Sequence, residues 1–533
     1  MTYPRFTVSL VFVLACGLPV GAQTATPPTK PPPARTPRPQ ATTAQMPSAA
    51  SLPATAGPPG QIAAPPKNRA PLAGDVLKVQ LPRPAAFTLP GGGARVLVVE
   101  DHSLPLVTIT VSVRAGALFD SATKPGVAAL TASQLTVATQ TRSFDQLAHE
   151  TARIGATLSS GAEAERATVS ISGLADDTDQ LIAILADTLL HPAFPTDRLE
   201  KAKFQQISQR AQETVNPQYL ASQLARQVLY GRGTAYGRPA PTPEALRAVS
   251  TDDLRAFYNA RYGNAPTALI GVAGDVNPRA VFAKLSAALA RWTASPLTES
   301  GALPPAEFSP QSKTRVFVIA RPASAQTYLT FANLAIRRTD PDFFPLQVAN
   351  YILGGSFNSR LNTNLREGKG FTYGVQSSFS APKYPGTWAM ASAVRNAVTT
   401  PAVAAFYDEF ARIQSAPVTT GELAAAKRAI VGSFALTLES PSAVLERLLN
   451  VVDYGLPANY WDTYAARIQA VTADDVLRVT RKYLGTGRIQ LIAVGQPTEL
   501  AGGLAAYGPV TSLTPAEVMG SVAPAPGATA PLP

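Results

Sequence analysis

One segment of the chain occurs twice. Its first copy runs from Val249 to Gly274. Its second copy, a similar sequence, runs from Val471 to Gly495 and starts 222 residues after the first. Each copy has a hydroxyl residue followed by paired aspartates, then a tyrosine, then a β-rich apolar run. In each copy this pattern predicts a helix with an N-cap hydroxyl, followed by a buried strand. The predicted N-cap is Thr251 in the first copy and Thr472 in the second. The repeat is too long for a solenoid unit, so we expect two similar lobes.

Within each half, strand-like segments come first and amphipathic helical segments follow. This order is typical of an α+β lobe, in which helices cover one face of a sheet. The predicted strands are Leu89–Asp101, Leu106–Val113, Arg315–Ala320 and Thr327–Leu334, and the predicted helices are Pro125–Val137, Thr178–Leu190, Thr196–Glu213, Pro217–Leu229, Pro341–Leu353, Pro401–Gln414, Gly421–Leu438 and Ala443–Val452.

Composition places the boundaries of the 533-residue chain. Residues 1–22 have the features of an export signal, and residues 23–78 are rich in Pro, Ala and Thr, which is typical of a disordered tether. A Pro-rich polar stretch at 295–312 predicts a linker between the lobes. The expected lobes are therefore residues 79–294 and 313–503, and residues 504–533 are expected to form a Pro/Ala-rich tail.

Cys16 is the single cysteine, so the mature chain would contain none. This excludes disulfides, thiolate nucleophiles and Cys-metal sites after cleavage of the signal. An exported chain without cysteine suits the bacterial periplasm. Lipid attachment at Cys16 is an alternative that we do not favour.

The formal net charge is +11, and 15% of residues are charged. Because there is no dense Lys/Arg cluster with interleaved aromatic residues, we expect no nucleic-acid partner.

The stretch from Leu353 to Phe379 predicts a helix, a loop with a Gly-Gly pair, and a strand. It contains Arg366 and Tyr373, seven residues apart. A guanidinium offers rigid donors to a carbonyl or carboxylate, and a phenol can donate to an oxyanion. The pair therefore suits peptide binding. The alternative is a solvated helix-end cation and a half-buried strand aromatic.

This stretch, the opening Leu89–Asp101 and both repeat endings resemble the insulinase/pitrilysin (M16) zinc peptidase family, over about residues 85–500. The resemblance implies homologous α+β lobes, each a mixed sheet covered by helices, in a clamshell arrangement around a peptide chamber. It also implies that Arg366 and Tyr373 bind an unstructured peptide substrate.

Active members of the family carry a His-x-x-Glu-His zinc motif on the first helix of the N-terminal lobe. In the matching segment, Ala129 and Ser133 hold the two His positions and Ala132 holds the Glu position. These side chains cannot bind zinc usefully or act as a general base. The resemblance implies a third ligand, a glutamate, near Gln205–Arg210, where no acidic residue occurs.

Other catalytic arrangements are also missing from the sequence. The three histidines, His102, His149 and His191, lie 47 and 42 residues apart, which is no short zinc-ligand spacing. The run around His149 predicts an exposed helix, and the other two occupy loop positions with no evident partner. The chain has no serine-hydrolase elbow, P-loop or dinucleotide fingerprint.

These patterns predict the non-catalytic subunit of a heteromeric M16-type peptidase, inactive on its own and binding no cofactor, with zinc in a partner subunit. Arg366 and Tyr373 would position the peptide for that partner. Two alternatives stay open. One is a stand-alone envelope peptide-binding or structural subunit, including a homodimer, and the other is an enzyme whose metal site is not recognisable in the sequence.

Overall fold

The computed structural model describes residues 81–263, 265–293 and 311–520. The predicted signal, the tether, most of the linker and the end of the tail lie outside these residues. No helix in the described ranges is both long and apolar enough to cross a bilayer.

The described residues form two lobes, and every helix and strand predicted above has a counterpart in them. The first lobe contains β1 (Ala85–Thr88), β2 (Arg95–Glu100), β3 (Leu106–Val113), α1 (Val127–Leu135), α2 (Phe144–Arg153), β4 (Thr157–Ala162), β5 (Ala167–Leu174), α3 (Thr178–Leu190), α4 (Thr196–Val215), α5 (Pro217–Tyr230), α6 (Pro243–Arg247), α7 (Thr251–Arg261), β6 (Leu269–Gly274) and α8 (Pro278–Ala288). The second contains β7 (Val316–Ala320), β8 (Gln326–Leu334), α9 (Phe343–Leu353), a π-helical segment (Asn362–Gly368), β9 (Thr372–Phe379), β10 (Thr387–Arg395), α10 (Thr399–Ser415), α11 (Thr420–Leu436), α12 (Pro441–Tyr454), α13 (Tyr464–Ala470), α14 (Ala473–Tyr483), β11 (Gln490–Gly495), α15 (Pro497–Leu504), β12 (Val510–Leu513) and α16 (Pro515–Val518).

Each lobe has one mixed six-stranded sheet, and corresponding strands occur in the same order across the centre of the two sheets. The first is β1-β2-β6-β3-β5-β4 and the second is β12-β7-β11-β8-β10-β9. In both sheets the strand that ends the repeat lies parallel to one of its two neighbours: β6 is parallel to β2, and β11 is parallel to β7. The prediction of two similar α+β lobes is therefore confirmed.

The repeated helix begins one residue earlier in the first lobe than the sequence analysis placed it. Ser250, not Thr251, is the N-cap of α7: its Oγ accepts from the Asp253 amide at 3.2 Å, and the Asp253 carboxylate accepts from the Ser250 amide at 2.7 Å. Thr472 and Asp475 form the same capping box on α14, as predicted.

The expected tail differs from the structure between residues 504 and 520. Here β12 adds a parallel edge strand to β7, and Val518 of α16 is fully buried. The Gln227 side-chain amide of α5 donates to the Val518 carbonyl at 2.7 Å. The second lobe therefore extends to residue 520, and not only to residue 503 as expected.

The second face of each sheet is covered by a helix from the other lobe, which the sequence analysis did not foresee. The helix α5 buries Leu220, Leu224 and Val228 against β7, β8 and β11. Its counterpart α12 packs on β2 and β6, where a Cβ on Gly271 would lie 2.8 Å from the Leu445 side chain. The lobes are therefore joined by two exchanged helices as well as by the chain between them.

This exchange predicts that Leu445 is a major contact between the lobes, since its side chain is only 2% exposed. We expect Leu445→Ala to lower the free energy of unfolding by about 2–4 kcal/mol through lost burial and a cavity. Urea denaturation followed by circular dichroism measures the change. Leu436→Ala is the matched control, because Leu436 is 68% exposed and its loss should change stability by less than about 0.5 kcal/mol. Equal effects of the two substitutions would contradict the exchange.

Candidate functional site

The segment from Gly354 to Phe379 holds Arg366 and Tyr373 in place. After α9 ends at Leu353, the chain turns through a loop into the π-helical segment, and Leu361 and Leu365 are fully buried beneath it. Single π-helical turns are rare and occur often at functional sites. The strand β9 then carries Tyr373 along the edge of the second sheet.

Polar contacts fix this segment on the helices below it. The Arg360 guanidinium donates to both oxygens of the Glu422 carboxylate, at 2.7 and 2.9 Å. The Asn364 amide donates at 2.7 Å to Glu409, whose side chain is almost completely buried. A bidentate ion pair and a buried carboxylate both restrict orientation. The π-helical segment is therefore anchored on α10 and α11.

Side chains also occupy the outer edge of β9. Asn362 donates to the Val375 carbonyl at 2.9 Å and accepts from the Val375 amide at 2.8 Å. The Ser377 amide donates to the Gly354 carbonyl at 2.9 Å. A further strand could not pair with β9 at these two residues. The outer edge of β9 is therefore occupied at Val375 and Ser377, and Tyr373 lies two residues before the first of these contacts.

The structure places Arg366 and Tyr373 at the surface of the second lobe. Tyr373 is 91% exposed, so it is not the half-buried strand aromatic of the alternative interpretation. Arg366 lies over the Phe357 ring, 4.1 Å from its centroid, and Phe357 itself is 63% exposed. Neither Arg366 nor Tyr373 lines the cavity between the lobes. Whether they bind peptide stays a prediction.

The former zinc-motif positions lie on α1, in the first lobe. The buried Asp120 carboxylate accepts from the Gly126 and Ala128 amides at 2.6 and 2.8 Å and so holds the start of this helix. Burial raises the pKa of Asp120 to about 6. Ala129 lines the cavity between the lobes. Ala132 is fully buried, and the Ser133 hydroxyl donates to the Leu130 carbonyl at 2.8 Å.

The predicted window for the third ligand lies on the same cavity as Ala129. Gln206 and Arg210 of α4 line it, so the arrangement of helices that the resemblance implies is present. The chemistry is different, because Arg210 is a cation that pairs with the Glu213 carboxylate at 2.5 Å. An alanine, a serine bonded to its own helix, and an arginine do not fit a zinc ion.

Sequence reasoning missed Glu213, the acidic residue nearest to that window. It lies one turn further along α4 and is bound to Arg210, which also donates to the Tyr219 hydroxyl. The i, i+3 spacing of Arg210 and Glu213 on a predicted helix was the available signal. Within the described ranges, no three His, Cys, Asp or Glu side chains are arranged to hold a metal ion.

His102 has partners that its sequence position did not reveal. Its ring nitrogens lie 2.5 Å from Asp275 and 3.1 Å from Glu100, and these carboxylates raise the pKa of the imidazole. The group is exposed and its two partners lie on opposite sides of the ring, as in a surface ion pair. His149 is exposed on α2, as predicted.

The Arg360–Glu422 pair predicts a pH-dependent contribution to stability. Arg360 lowers the pKa of Glu422 to about 2 from an ordinary value of 4.5, so the stabilisation is present above about pH 4.5 and is lost as pH falls towards 2. We expect Glu422→Gln to lower the free energy of unfolding at pH 7 by about 1–2 kcal/mol, allowing for solvent screening.

Denaturant melts at several pH values test this, and the difference from the parent chain should shrink below pH 4.5. The control Glu439→Gln removes an exposed carboxylate and should be nearly neutral throughout. A difference for Glu422→Gln that stays constant down to pH 2 would contradict the assignment.

Comparisons with known proteins agree with this arrangement. Two family profiles match: "Insulinase (Peptidase family M16)" over residues 95–237 and "Peptidase M16 inactive domain" over residues 248–430. The chain is 24% identical over 384 residues to a Helicobacter pylori protein called "Non-peptidase homolog YmxG", an alignment that covers 72% of this chain and 87% of that protein.

Solved structures show the same fold. A crystal structure of a peptidase M16 inactive domain from Pseudomonas fluorescens matches with a TM-score of 0.69 and 28% identity, over 78% of this chain and 98% of that one. The periplasmic protease PqqL from Escherichia coli matches with a TM-score of 0.66 and 15% identity, over 79% of this chain and 46% of PqqL. The two lobes, the profile matches and the altered motif on α1 together show that the chain belongs to the M16 peptidase family, as a member without the His-x-x-Glu-His motif.

Proposed function

We propose that this chain is the non-catalytic subunit of a heteromeric M16 peptidase and that it holds a peptide for a zinc-bearing partner chain. One observation carries the proposal. An anchored segment that carries the half-buried Arg366 and the exposed Tyr373 occurs in the same chain as a zinc-motif helix in which every metal ligand and the general base have been replaced.

The pair has its hydrogen-bonding groups available. Among the described residues, none accepts a hydrogen bond from the Arg366 guanidinium or contacts the Tyr373 hydroxyl. Stacking on Phe357 engages the face of the guanidinium and leaves its in-plane N–H donors free for a carbonyl. The bonds between Asn362 and Val375 hold β9 two residues beyond Tyr373. These features suit the positioning of an unstructured peptide. Positioning lowers the entropic cost of reaching the transition state.

Two observations support a second chain. The exposed ring of Phe357 lies beside Arg366, and Tyr373 is exposed on the neighbouring strand, so this part of the surface is one that a partner could cover. The chain spans 46% of PqqL, whose length leaves room for a second unit of similar size. In our proposal that second unit is a separate subunit, which supplies zinc and the hydrolytic water.

The location is also part of the proposal. We infer export by residues 1–22 into the bacterial periplasm, the compartment named for PqqL. Residues 23–78 would then tether the lobes, with lipid attachment at Cys16 as the less favoured variant.

A second candidate function is a stand-alone peptide-binding subunit, either as a monomer or as a homodimer. The cavity of about 1080 Å³ between the two lobes favours it, because this cavity is complete without a partner.

The first prediction concerns the exposed pair. We expect Arg366→Ala and Tyr373→Phe each to lower peptide cleavage by the mixed complex about tenfold or more, since each removes a donor to the peptide. Size-exclusion chromatography should show unchanged assembly. Arg255→Ala is the matched control, because Arg255 is an exposed arginine of the first lobe. Parental cleavage rates for both test variants would overturn the role of the pair.

The second prediction concerns the altered motif. We expect the triple variant Ala129→His, Ala132→Glu, Ser133→His to bind no stoichiometric zinc and to cleave no peptide alone. The third ligand is still missing, Arg210 adds positive charge to the cavity, and position 132 is fully buried. Elemental analysis after dialysis against zinc, with the parent chain as reference, measures metal content. An equimolar zinc content together with cleavage would contradict the account.

A further inference from the structure

The cavity between the lobes has the dimensions and lining of a binding site. Its volume of about 1080 Å³ is slightly above the range for ligand pockets, about 300–1,000 Å³. Hydroxyl groups of β3 and β5 form one wall, among them Thr108, Thr110 and Ser170. The exchanged helices α5 and α12 form two other walls. A polar ligand is therefore expected.

The helix α5 presents one polar stripe to this cavity. Tyr219, Gln223, Arg226 and Tyr230 recur at a spacing of three or four residues and all line it. The opposite face of the helix is the apolar one that packs on the second sheet. Packing on the second sheet therefore fixes the direction in which the stripe points.

Arg226 is the cation in this cavity that lacks an acceptor. The other arginines of the lining have partners. Arg166 pairs with the Asp453 carboxylate at 2.8 Å, and Arg210 pairs with the Glu213 carboxylate at 2.5 Å. Arg238 donates to the Asp120 backbone carbonyl at 2.8 Å. Among the described residues, no oxygen accepts a hydrogen bond from the Arg226 guanidinium.

The surroundings of Arg226 strengthen this point. Desolvation by nearby protein atoms lowers the pKa of the guanidinium, although the Arg226 side chain is exposed to solvent. One helical turn away, Gln223 is 1% exposed and its Oε1 has no donor among the described residues. A buried acceptor without a donor costs about 1–3 kcal/mol, and a nearby amide N–H could remove that cost.

The charge of the cavity argues for a carboxylate and against a phosphate. Its lining also contains the carboxylates of Asp120, Glu163, Glu165, Glu446 and Asp453. These groups would repel a dianion about twice as strongly as a single carboxylate, and a single carboxylate matches one guanidinium fork. Glu163 and Glu446 are exposed on other walls, where they could meet a cationic group of the same ligand.

We propose that the cavity between the lobes binds a peptide by its carboxylate, with Arg226 pairing with that group and the hydroxyl wall bonding the peptide amides. The ligand class, a peptide, rests on the proposed function, whereas the carboxylate specificity rests on Arg226. This site does not include Arg366 or Tyr373 and needs no partner chain.

Calorimetry on the full chain alone tests the proposal with three acetylated probes. These are tetra-alanine with a free carboxylate, tetra-alanine amide, and a tri-alanyl-glutamate amide. We expect the free-carboxylate peptide to bind about tenfold or more tighter than tetra-alanine amide. Arg226→Gln should abolish the difference, Arg226→Lys should retain part of it, and Arg255→Gln should leave it unchanged. Tight binding of the glutamate amide would show that a side-chain carboxylate also serves.

Three results would overturn the proposal: equal binding of tetra-alanine and its amide, an unchanged preference in Arg226→Gln, or inorganic phosphate competing as strongly as the peptide. Circular dichroism of Arg226→Gln checks that the variant is folded. Because no partner or cleavage is involved, failure here leaves the proposed subunit role untouched, and failure of the mixed-complex assay leaves this site untouched.

Discussion

The exchange of α5 and α12 between the lobes is the interaction on which the rest of the structure depends. Each sheet packs its own helices on one face and a helix of the other lobe on the second face. The close approach of Leu445 to Gly271 shows how tightly this second face is filled. Separating the lobes would expose apolar surface on both sheets, and burial of such surface is the main stabilising contribution in folding. The exchanged helices therefore determine both the relative position of the lobes and the cavity between them.

The two candidate sites differ in how they are built. The Arg366–Tyr373 pair lies at the surface on a segment that is held by buried leucines, an ion pair and a closed strand edge. The cavity lies between the lobes, where Ala129 of α1 and residues of α4 and α5 line it. In that cavity the positive charge comes from arginines, and a positive charge fixed on a helix can bind an anion without a metal. The chain thus combines a candidate site at its surface with an internal polar cavity.

Much of the fold could be predicted because its signals are local. The alternation of Leu106–Val113 predicted β3 to the residue, and the paired aspartates predicted both repeated helices, although Ser250 rather than Thr251 is the first cap. The exchange could not be predicted, since the apolar stripe of α5 shows that the helix is half-buried but not which sheet covers it. The strand β12 was missed because it is only four residues long and lies close to the Pro/Ala-rich end of the chain.

The site was predicted less completely, for physical reasons. The resemblance to the M16 family singled out Arg366, Tyr373 and the replaced motif positions, but it did not show that Tyr373 would be almost fully exposed or that Asn362 would bond the outer edge of its strand. The contact between Asn362 and β9 depends on the turn that brings the π-helical segment beside this strand, and the geometry of that turn cannot be predicted from the sequence. The partners of His102 were missed for a related reason, since Asp275 lies 173 residues away and becomes a neighbour only when β2 and β6 pair.

The most direct measurement of the central claim is a peptide-cleavage assay of three samples: this chain alone, a zinc-bearing M16 chain of the same organism alone, and the two after co-expression and size-exclusion chromatography. The account predicts that the chains co-elute and that the mixture cleaves peptide much faster than either chain alone, with no cleavage by this chain. Cleavage by this chain alone, or a mixture no faster than the zinc-bearing chain, would contradict it.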